Sequence, residues 1–334
     1  MSAKKRYNLA VMGATGAVGN AFLRILEERK FPINKIRLLA SERSKNKKLK
    51  FKGRLHTVEV LGHNSFKGID LVLASAGASR SLEFLPSAVK TGAICIDNSS
   101  AFRMEKDVPL VVPEVNAQRV KEHRGIIANP NCSTIQMVVA LWPIHKAAKI
   151  KRIVVTTFQS VSGAGQKKIF ELEDQSRAYL SKKKFTPVEL PYQIAFNLIP
   201  QIDIFLDNDY TKEEMKMAGE TRKIMEDPSL KINATCVRVP VFYAHSESVN
   251  IETERHISAK EARSILSKAP GIVVADDPDA QVYPMPIHCE GKDEVFVGRI
   301  REDESIGNGI SMWVVSDNIR KGAALNAIQI AELL

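Results

Sequence analysis

Cysteine is scarce in this chain. Four are present in 334 residues, Cys95, Cys132, Cys236 and Cys289, with no Cys-x-x-Cys pair and no cysteine–histidine cluster at metal-ligand spacing. That excludes a disulfide framework and a structural zinc site, and no metal is expected. Long apolar runs are missing as well, since none approaches the ~20 residues that span a bilayer. The first residues, "MSAKKRYNLAVMG", are basic and then apolar in the manner of a secretory leader. The apolar part is too short, and it runs straight into a glycine loop that needs it as a strand. A cytoplasmic protein without a membrane segment is the expectation. Internal repeats and low-complexity tracts are absent too.

A negative surface is also lacking. Lysine and arginine number 48 against 38 aspartates and glutamates, a formal net charge of +10. The lysines are spread over segments that read as loops, such as "RSKNKKLKFKGR" (43–54) and "LSKKKF" (180–185), with few aromatics among them. A solvated surface that attracts small anions is expected, with no nucleic-acid partner.

What is present has a clear rhythm. "YNLAVM" (7–12), "KIRLLA" (35–40), "IDLVLASA" (69–76), "GAICIDNS" (92–99) and "PLVVPE" (109–114) read as short strands. Between them, "GATGAVGNAFLRILEERK" (13–30) places Val18, Phe22, Ile25 and Leu26 on one helical face, and 79–92 reads as a second helix. Strands alternating with helices predict a parallel, doubly wound sheet of the Rossmann kind. Gly13, Gly16 and Gly19 fall where the first strand turns into the first helix, a setting in which backbone N–H groups approach a pyrophosphate. The second strand runs into "LLASERSKNKK", where Ser41, Arg43 and Ser44 surround Glu42. Hydroxyls and a guanidinium suit a 2′-phosphate better than a bare ribose, so NADP (NADPH) is expected in preference to NAD.

The segment "NPNCSTIQMVVALWPI" puts Cys132 at the start of a helix whose apolar residues include Ile135, Val138, Val139 and Trp142. There the helix dipole and free N–H groups favour a thiolate and can hold an oxyanion. A thiolate beside a nicotinamide site implies thiohemiacetal and thioester chemistry on an aldehyde, with a base to take the hydroxyl proton. Of the seven histidines, His245 is preferred because it ends a strand-like run, seven residues after Arg238.

"GATGAVGNAFL", "LASERS", "DNSSAFRMEKDVPLVVPEVN", "NPNCSTIQMV", "FQSVSGAG", "EEMKMAGETRKI", "VRVPVFYAHSES" and "DNIRKGAALNAIQIAELL" occur in the order and approximate spacing of the bacterial-type aspartate-β-semialdehyde dehydrogenases, a family that the chain resembles over nearly its whole length. The resemblance implies Cys132 as acyl-thioester nucleophile, His245 as acid/base and Gln159 as the residue that orients the substrate carbonyl. It implies Arg238 on the substrate carboxylate and Glu213 on its amino group, with Glu214 or Glu220 as alternatives to Glu213. Asn131 would line the pocket, while Arg103 and Lys216 would hold inorganic phosphate. Gly13, Thr15, Gly16, Ala17 and Val18 would follow the pyrophosphate. Ser41, Arg43 and Ser44 would meet the 2′-phosphate, and Ser162, Gly163 and Asn318 would lie near the nicotinamide.

The implied fold is a dinucleotide-binding domain, 1–132 with 318–334, and an α+β substrate-binding and dimerisation domain, 133–317. The last helix would pack back on the first domain through Ala323, Ala324, Ile328 and Ile330. The implied assembly is a homodimer or dimer of dimers. The implied activity is NADP- and phosphate-dependent interconversion of aspartate semialdehyde and 4-phospho-aspartate, in lysine, threonine and methionine biosynthesis. The alternatives are a related acyl-phosphate or acyl-CoA reductase, such as one acting on malonyl-CoA, and a non-enzymatic paralogue.

Overall fold

A computed structural model describes residues 6–334; the first five, with most of the basic N-terminal stretch, lie outside the described residues. Two compact units are formed, one comprising the chain up to Asn131 together with Ala323–Leu334, the other Cys132–Gly322.

In the first unit, β1 (Tyr7–Met12), α1 (Ala17–Glu28) and β2 (Ile33–Ala40) lead to β3 (Lys48–Phe51) and β4 (Arg54–Val60). Then follow β5 (Leu71–Ala74), α2 (Ala78–Lys90), β6 (Ile94–Asp97), the short α3 (Pro113–Asn116) and β7 (Ile126–Ala128). The sheet order is β3-β4-β2-β1-β5-β6-β7, parallel except for β3. This is the expected Rossmann-like arrangement, and the strand order reverses at β1 and β5, where such sheets bind ligands. Leu9, Val11, Leu71 and Leu73 are fully buried, because a parallel sheet is covered on both faces. Burying such a side chain contributes about 1.5–3 kcal/mol.

Two expectations need correction. The basic stretch 43–54 is not simply a loop, for residues 48–51 form edge strand β3, joined to β4 through Lys52 and Gly53 at positive φ. Its Lys-Leu-Lys-Phe alternation sends lysines to solvent and Phe51 to the core. Lysines on an edge also discourage pairing with other chains. The expected strand 109–114 is reduced to a single bridge, Leu110 to Ala128, before Pro113 opens α3. Prolines at 109 and 113 remove ladder donors, and Pro113 suits the first turn of a helix.

The second unit contains α4 (Cys132–Ala148), β8 (Ile150–Gln159), α5 (Gln166–Leu180), α6 (Lys212–Ile224), β9 (Lys231–Arg238) and β10 (His245–Thr253). It continues through α7 (Ala259–Leu266), β11 (Ile272–Val274), α8 (Pro286–Cys289), β12 (Val295–Asp303) and β13 (Gly309–Ser316). The mixed sheet is ordered β11-β12-β13-β10-β8-β9, and α4 packs against β8, β10, β12 and β13. Apolar residues surround α4 on most sides, as a helix buried within a unit requires. Returning to the first unit, α9 (Leu325–Ala331) packs on α1, α3 and β6. Ala324, Ile328 and Ile330 are fully buried there, and Arg29 pairs with Glu332 at 2.6 Å. Among the described residues, no helix is long and apolar enough to cross a membrane.

Candidate active site

Cys132 is the first residue of α4, at the end of the helix where the dipole is positive. It is also the one half-buried cysteine of the four. Burial pushes the Cys95 thiol up to about 12, with Asp97 adding to the effect, and Cys289 to about 11; Cys236 is raised further. Those three are inert by position.

Behind Cys132 stands Gly322, at the middle of a π-helical turn, Arg320–Ala324. A methyl group on Gly322 would lie 3.0 Å from the Cys132 Cβ, so a side chain there would push the cysteine aside by a few tenths of an ångström.

The strands deliver the other groups. Gln159 ends β8 and Arg238 ends β9, and the two are register partners of that parallel pair. Gln159 is buried; its Nε2 donates to Ser133 Oγ at 2.8 Å and reaches Glu213 Oε1 at 3.4 Å. Arg238 is buried too and donates from Nη1 to the Ser160 carbonyl at 2.7 Å. Burial lowers its pKa, opposed by the charges of Glu213 and Cys132, which places both within its electrostatic reach.

His245 opens β10, a correction to its expected place at the end of a strand. Pro240 and Ala244, the latter at φ +66°, break the run "CVRVPVFYAHSESVNIE" into two strands. Its ring is fully buried, with Nδ1 3.1 Å from the Ser160 N–H and 3.0 Å from Ser160 Oγ. Nε2 has no hydrogen-bond partner among the described residues. Burial, followed by the Arg238 charge, holds its pKa well below the usual histidine value, so the ring is neutral and able to accept a proton. A methyl on Gly163 would stand 2.9 Å from Nε2 and 3.3 Å from Arg238 Nη1. Gly163 thereby lies against both groups and leaves no room for a side chain.

Glu213 and Lys216 lie one turn apart on α6. Lys216 Nζ is 3.1 Å from Glu213 Oε2 and 2.7 Å from Asp203 Oδ2. Burial would depress the lysine, but the two carboxylates overrule it and raise its pKa. Glu214 is committed elsewhere: it accepts from the Thr211 and Cys236 N–H groups at 2.7 and 2.9 Å and caps α6. Glu220 is buried two turns further along the helix.

Asn318 joins the cluster through Oδ1, which accepts from Ser160 and Ser162 hydroxyls and from the Ala244 N–H. The last bond restrains the strained residue before His245. Asn318 Nδ2 is buried and without a hydrogen-bond partner among the described residues. Ser133, Ser160 and Asp203 were not selected from sequence. The two serines adjoin Cys132 and Gln159 in motifs already singled out, whereas Asp203 sits in an irregular segment at φ +69° with no periodic signal.

In the first unit the glycine turn fits a dinucleotide. Gly13 has φ +86° and a Cβ there would meet the Ser75 carbonyl at 2.3 Å; one on Gly19 would meet the Gly13 carbonyl at 2.2 Å. Thr15, Gly16, Ala17 and Val18 remain accessible around the turn. Thr15 Oγ1 is 3.2 Å from Ser44 Oγ, which ties the turn to the segment after β2. Ser41 and Arg43 are exposed there, and Glu42 is paired with Lys45 at 3.0 Å. Arg103 is buried and anchored by Nε to the Asn129 carbonyl at 2.9 Å and by Nη2 to the Asn98 carbonyl at 3.0 Å. The Asn326 amide of α9 donates to Asn129 Oδ1 at 2.7 Å, steadying the segment that leads to Asn131, itself buried.

Residues 8–123 match the NAD-binding domain of semialdehyde dehydrogenases and residues 141–321 match their dimerisation domain. The chain is thus a semialdehyde dehydrogenase by class, an oxidoreductase of aldehyde groups. It is 59% identical over 332 residues to an aspartate-semialdehyde dehydrogenase of Aquifex aeolicus, with 98% of each chain covered. It superposes with a TM-score of 0.96, at 50% identity and covering 99% of this chain and 98% of the other, on aspartate semialdehyde dehydrogenase II from Vibrio cholerae complexed with ASA. A Candida albicans aspartate semialdehyde dehydrogenase with NADP gives 0.75 at 27% identity, covering 99% and 98%. The protein belongs to the aspartate-semialdehyde dehydrogenase family.

Proposed function

We propose that this protein interconverts L-aspartate 4-semialdehyde and 4-phospho-L-aspartate, with NADP and inorganic phosphate, through a thioester on Cys132. The observation that carries the reading is the convergence of Arg238, His245, Gln159 and Glu213 on the half-buried thiol at the start of α4.

In the oxidative direction the Cys132 thiolate attacks the aldehyde carbon and forms a C–S bond, held by the helix N–H groups while charge develops on oxygen. Arg238, planar and forked, matches the α-carboxylate, and Glu213 matches the α-ammonium group. Gln159 donates to the carbonyl oxygen. His245 takes the hydroxyl proton of the thiohemiacetal on Nε2 in the tautomer that carries its ring proton on Nδ1, which then donates to Ser160 Oγ in place of accepting from the Ser160 N–H. Bound NADP supplies the hydride acceptor. A phosphate oxygen then attacks the thioester carbonyl and expels the Cys132 thiolate, giving the acyl phosphate. Lys216 and Arg103 are assigned to that phosphate, and Asn131 to the pocket wall.

The dinucleotide is assigned to the turn from Gly13 to Val18, with Ser162, Gly163 and Asn318 at its nicotinamide end. The unpartnered Asn318 amide suits a carboxamide. NADP is preferred because Glu42, the acid that follows β2, is paired with Lys45 at 3.0 Å while Arg43 stays exposed. A cytoplasmic homodimer or dimer of dimers, serving lysine, threonine and methionine biosynthesis, completes the proposal.

The test is to give purified protein NADPH with 4-phospho-aspartate or with malonyl-CoA. Turnover of the acyl phosphate supports the reading. Turnover of the CoA ester alone overturns it.

A further inference from the structure

Two carboxylates from different elements share Lys216. Glu213 precedes it by one turn of α6 and lies 3.1 Å from Nζ, while Asp203, in the irregular segment before α6, lies closer at 2.7 Å. Asp203 is held firmly. Its backbone sits at φ +69° and its Oδ1 accepts the Ile204 N–H at 2.9 Å, which leaves Oδ2 to accept from the lysine. The segment is tied to the start of α6 by the Lys212 N–H, which donates to the Ile204 carbonyl at 2.8 Å, and by a bridge between Phe205 and Thr211.

Side chains three apart on a helix meet readily, so without Asp203 the lysine would close on Glu213 alone. The Glu213 side chain is only 7% exposed, and a pair formed there is little screened by solvent. A carboxylate so neutralised attracts a substrate ammonium group weakly, because the two charges of the pair cancel at a distance. With Asp203 present, two carboxylates surround one ammonium and a surplus of negative charge remains. Burial would raise the Asp203 pKa, but Lys216, the Ile204 N–H and the Lys212 charge overrule it and lower it. Of the three N–H donors on Lys216, two serve the carboxylates, and the third is left for the phosphate assigned to it.

We propose that Asp203 is the counter-ion of Lys216, drawing the lysine's charge away from Glu213 so that the Glu213 charge is left for the α-ammonium group of the substrate. It is a positioning residue, and through Lys216 it sets the preference for an amino aldehyde over the deamino analogue. The inference rests on the assignment of Glu213 above.

Asparagine adopts positive φ readily and can keep the Ile204 bond, so Asp203→Asn removes the charge alone. The half-saturating concentration of aspartate semialdehyde is read from the NADPH burst formed with NADP in the absence of phosphate, which takes the phosphate role of Lys216 out of the measurement. It should rise about tenfold in Asp203→Asn, the scale of one weakened charged hydrogen bond, with the burst rate at saturation kept within about twofold. The inhibition constant of succinate semialdehyde, which lacks the amino group, should hold within the same margin. In a Lys216→Met background no ammonium competes for Glu213, and Asp203→Asn should then add nothing. Equal rises for the two aldehydes, the same rise in the Lys216→Met background, or no rise at all overturns the proposal. If Asp203→Asn does not fold, Asp203→Ser decides by the same readings. Glu213→Gln separates the two levels of the argument. Should it leave the aspartate semialdehyde value unaltered, the assignment of Glu213 fails and the proposal with it; a rise there with none in Asp203→Asn overturns the role of Asp203 alone.

Discussion

Gln159 and Arg238 are register partners at the carboxyl ends of two parallel strands, and both side chains are buried beside the amino end of α4. Strand pairing thus sets their spacing, and neither depends on a flexible loop for its position. Arg238 is further pinned by paired backbone bonds with Ile199, at 2.9 and 3.0 Å.

Arg238→Lys keeps the positive charge but loses the planar fork. The expected outcome is a fall in kcat/KM for aspartate semialdehyde of about 10–100-fold, the scale of one charge-assisted hydrogen bond of about 1.5–3 kcal/mol. Steady-state kinetics with an unchanged melting temperature would check it.

Gly163→Ala tests the close packing of Gly163 on His245 and Arg238. The added methyl stands 2.9 Å from Nε2 and 3.3 Å from Arg238 Nη1. A loss of about 10²-fold in kcat/KM is expected from displaced reacting groups. Because Gly163 is exposed, thermal stability should hardly change, and a variant with normal turnover would place the reacting groups elsewhere.

Arg43→Ala addresses cofactor choice. Removing the exposed guanidinium should raise KM for NADP about tenfold, in line with one charged hydrogen bond, and leave KM for NAD as it was. Equal effects on both cofactors would show that Arg43 does not meet a 2′-phosphate.

Stability should respond to pH through His245 and Glu247 in opposite senses. Burial, then Arg238, depresses the folded-state pKa of His245 below 6.5, so the folded form binds fewer protons than the unfolded chain. Its stabilising contribution is complete above that value and is lost as pH falls below it. Burial raises the folded-state pKa of Glu247 above 4.5, so the folded form binds more protons there. Its contribution is complete below 4.5 and is lost as pH rises toward the folded value. Glu247→Gln should therefore gain in melting temperature over wild type as pH increases from 4.5 to neutrality. A constant difference across that range would contradict the account.

Much of the fold was legible because period and punctuation agreed in β1, α1, β5, α2 and β6. Legibility failed where one signal hid another. Charge masked the two-residue alternation of Lys48–Phe51, while buried, apolar residues 109–112 looked like a strand although the flanking prolines deny them a ladder. Local order could place Cys132 on a helix start, since the turn and the apolar spacing are adjacent in sequence. It could not choose among Glu213, Glu214 and Glu220, because what separates them is the cap of α6 and the approach of Gln159, some fifty residues away. Asp203 was invisible for the same reason: its significance lies in Lys216, a partner brought by the tertiary fold.

The most direct measurement mixes the protein with aspartate semialdehyde and NADP in the absence of phosphate and follows NADPH in the first turnover. A burst of about one NADPH per chain, absent from Cys132→Ser and converted to steady turnover by adding phosphate, is the expected result. A serine variant that gives the same burst, or a wild type that gives none until phosphate is present, would contradict a thioester on Cys132.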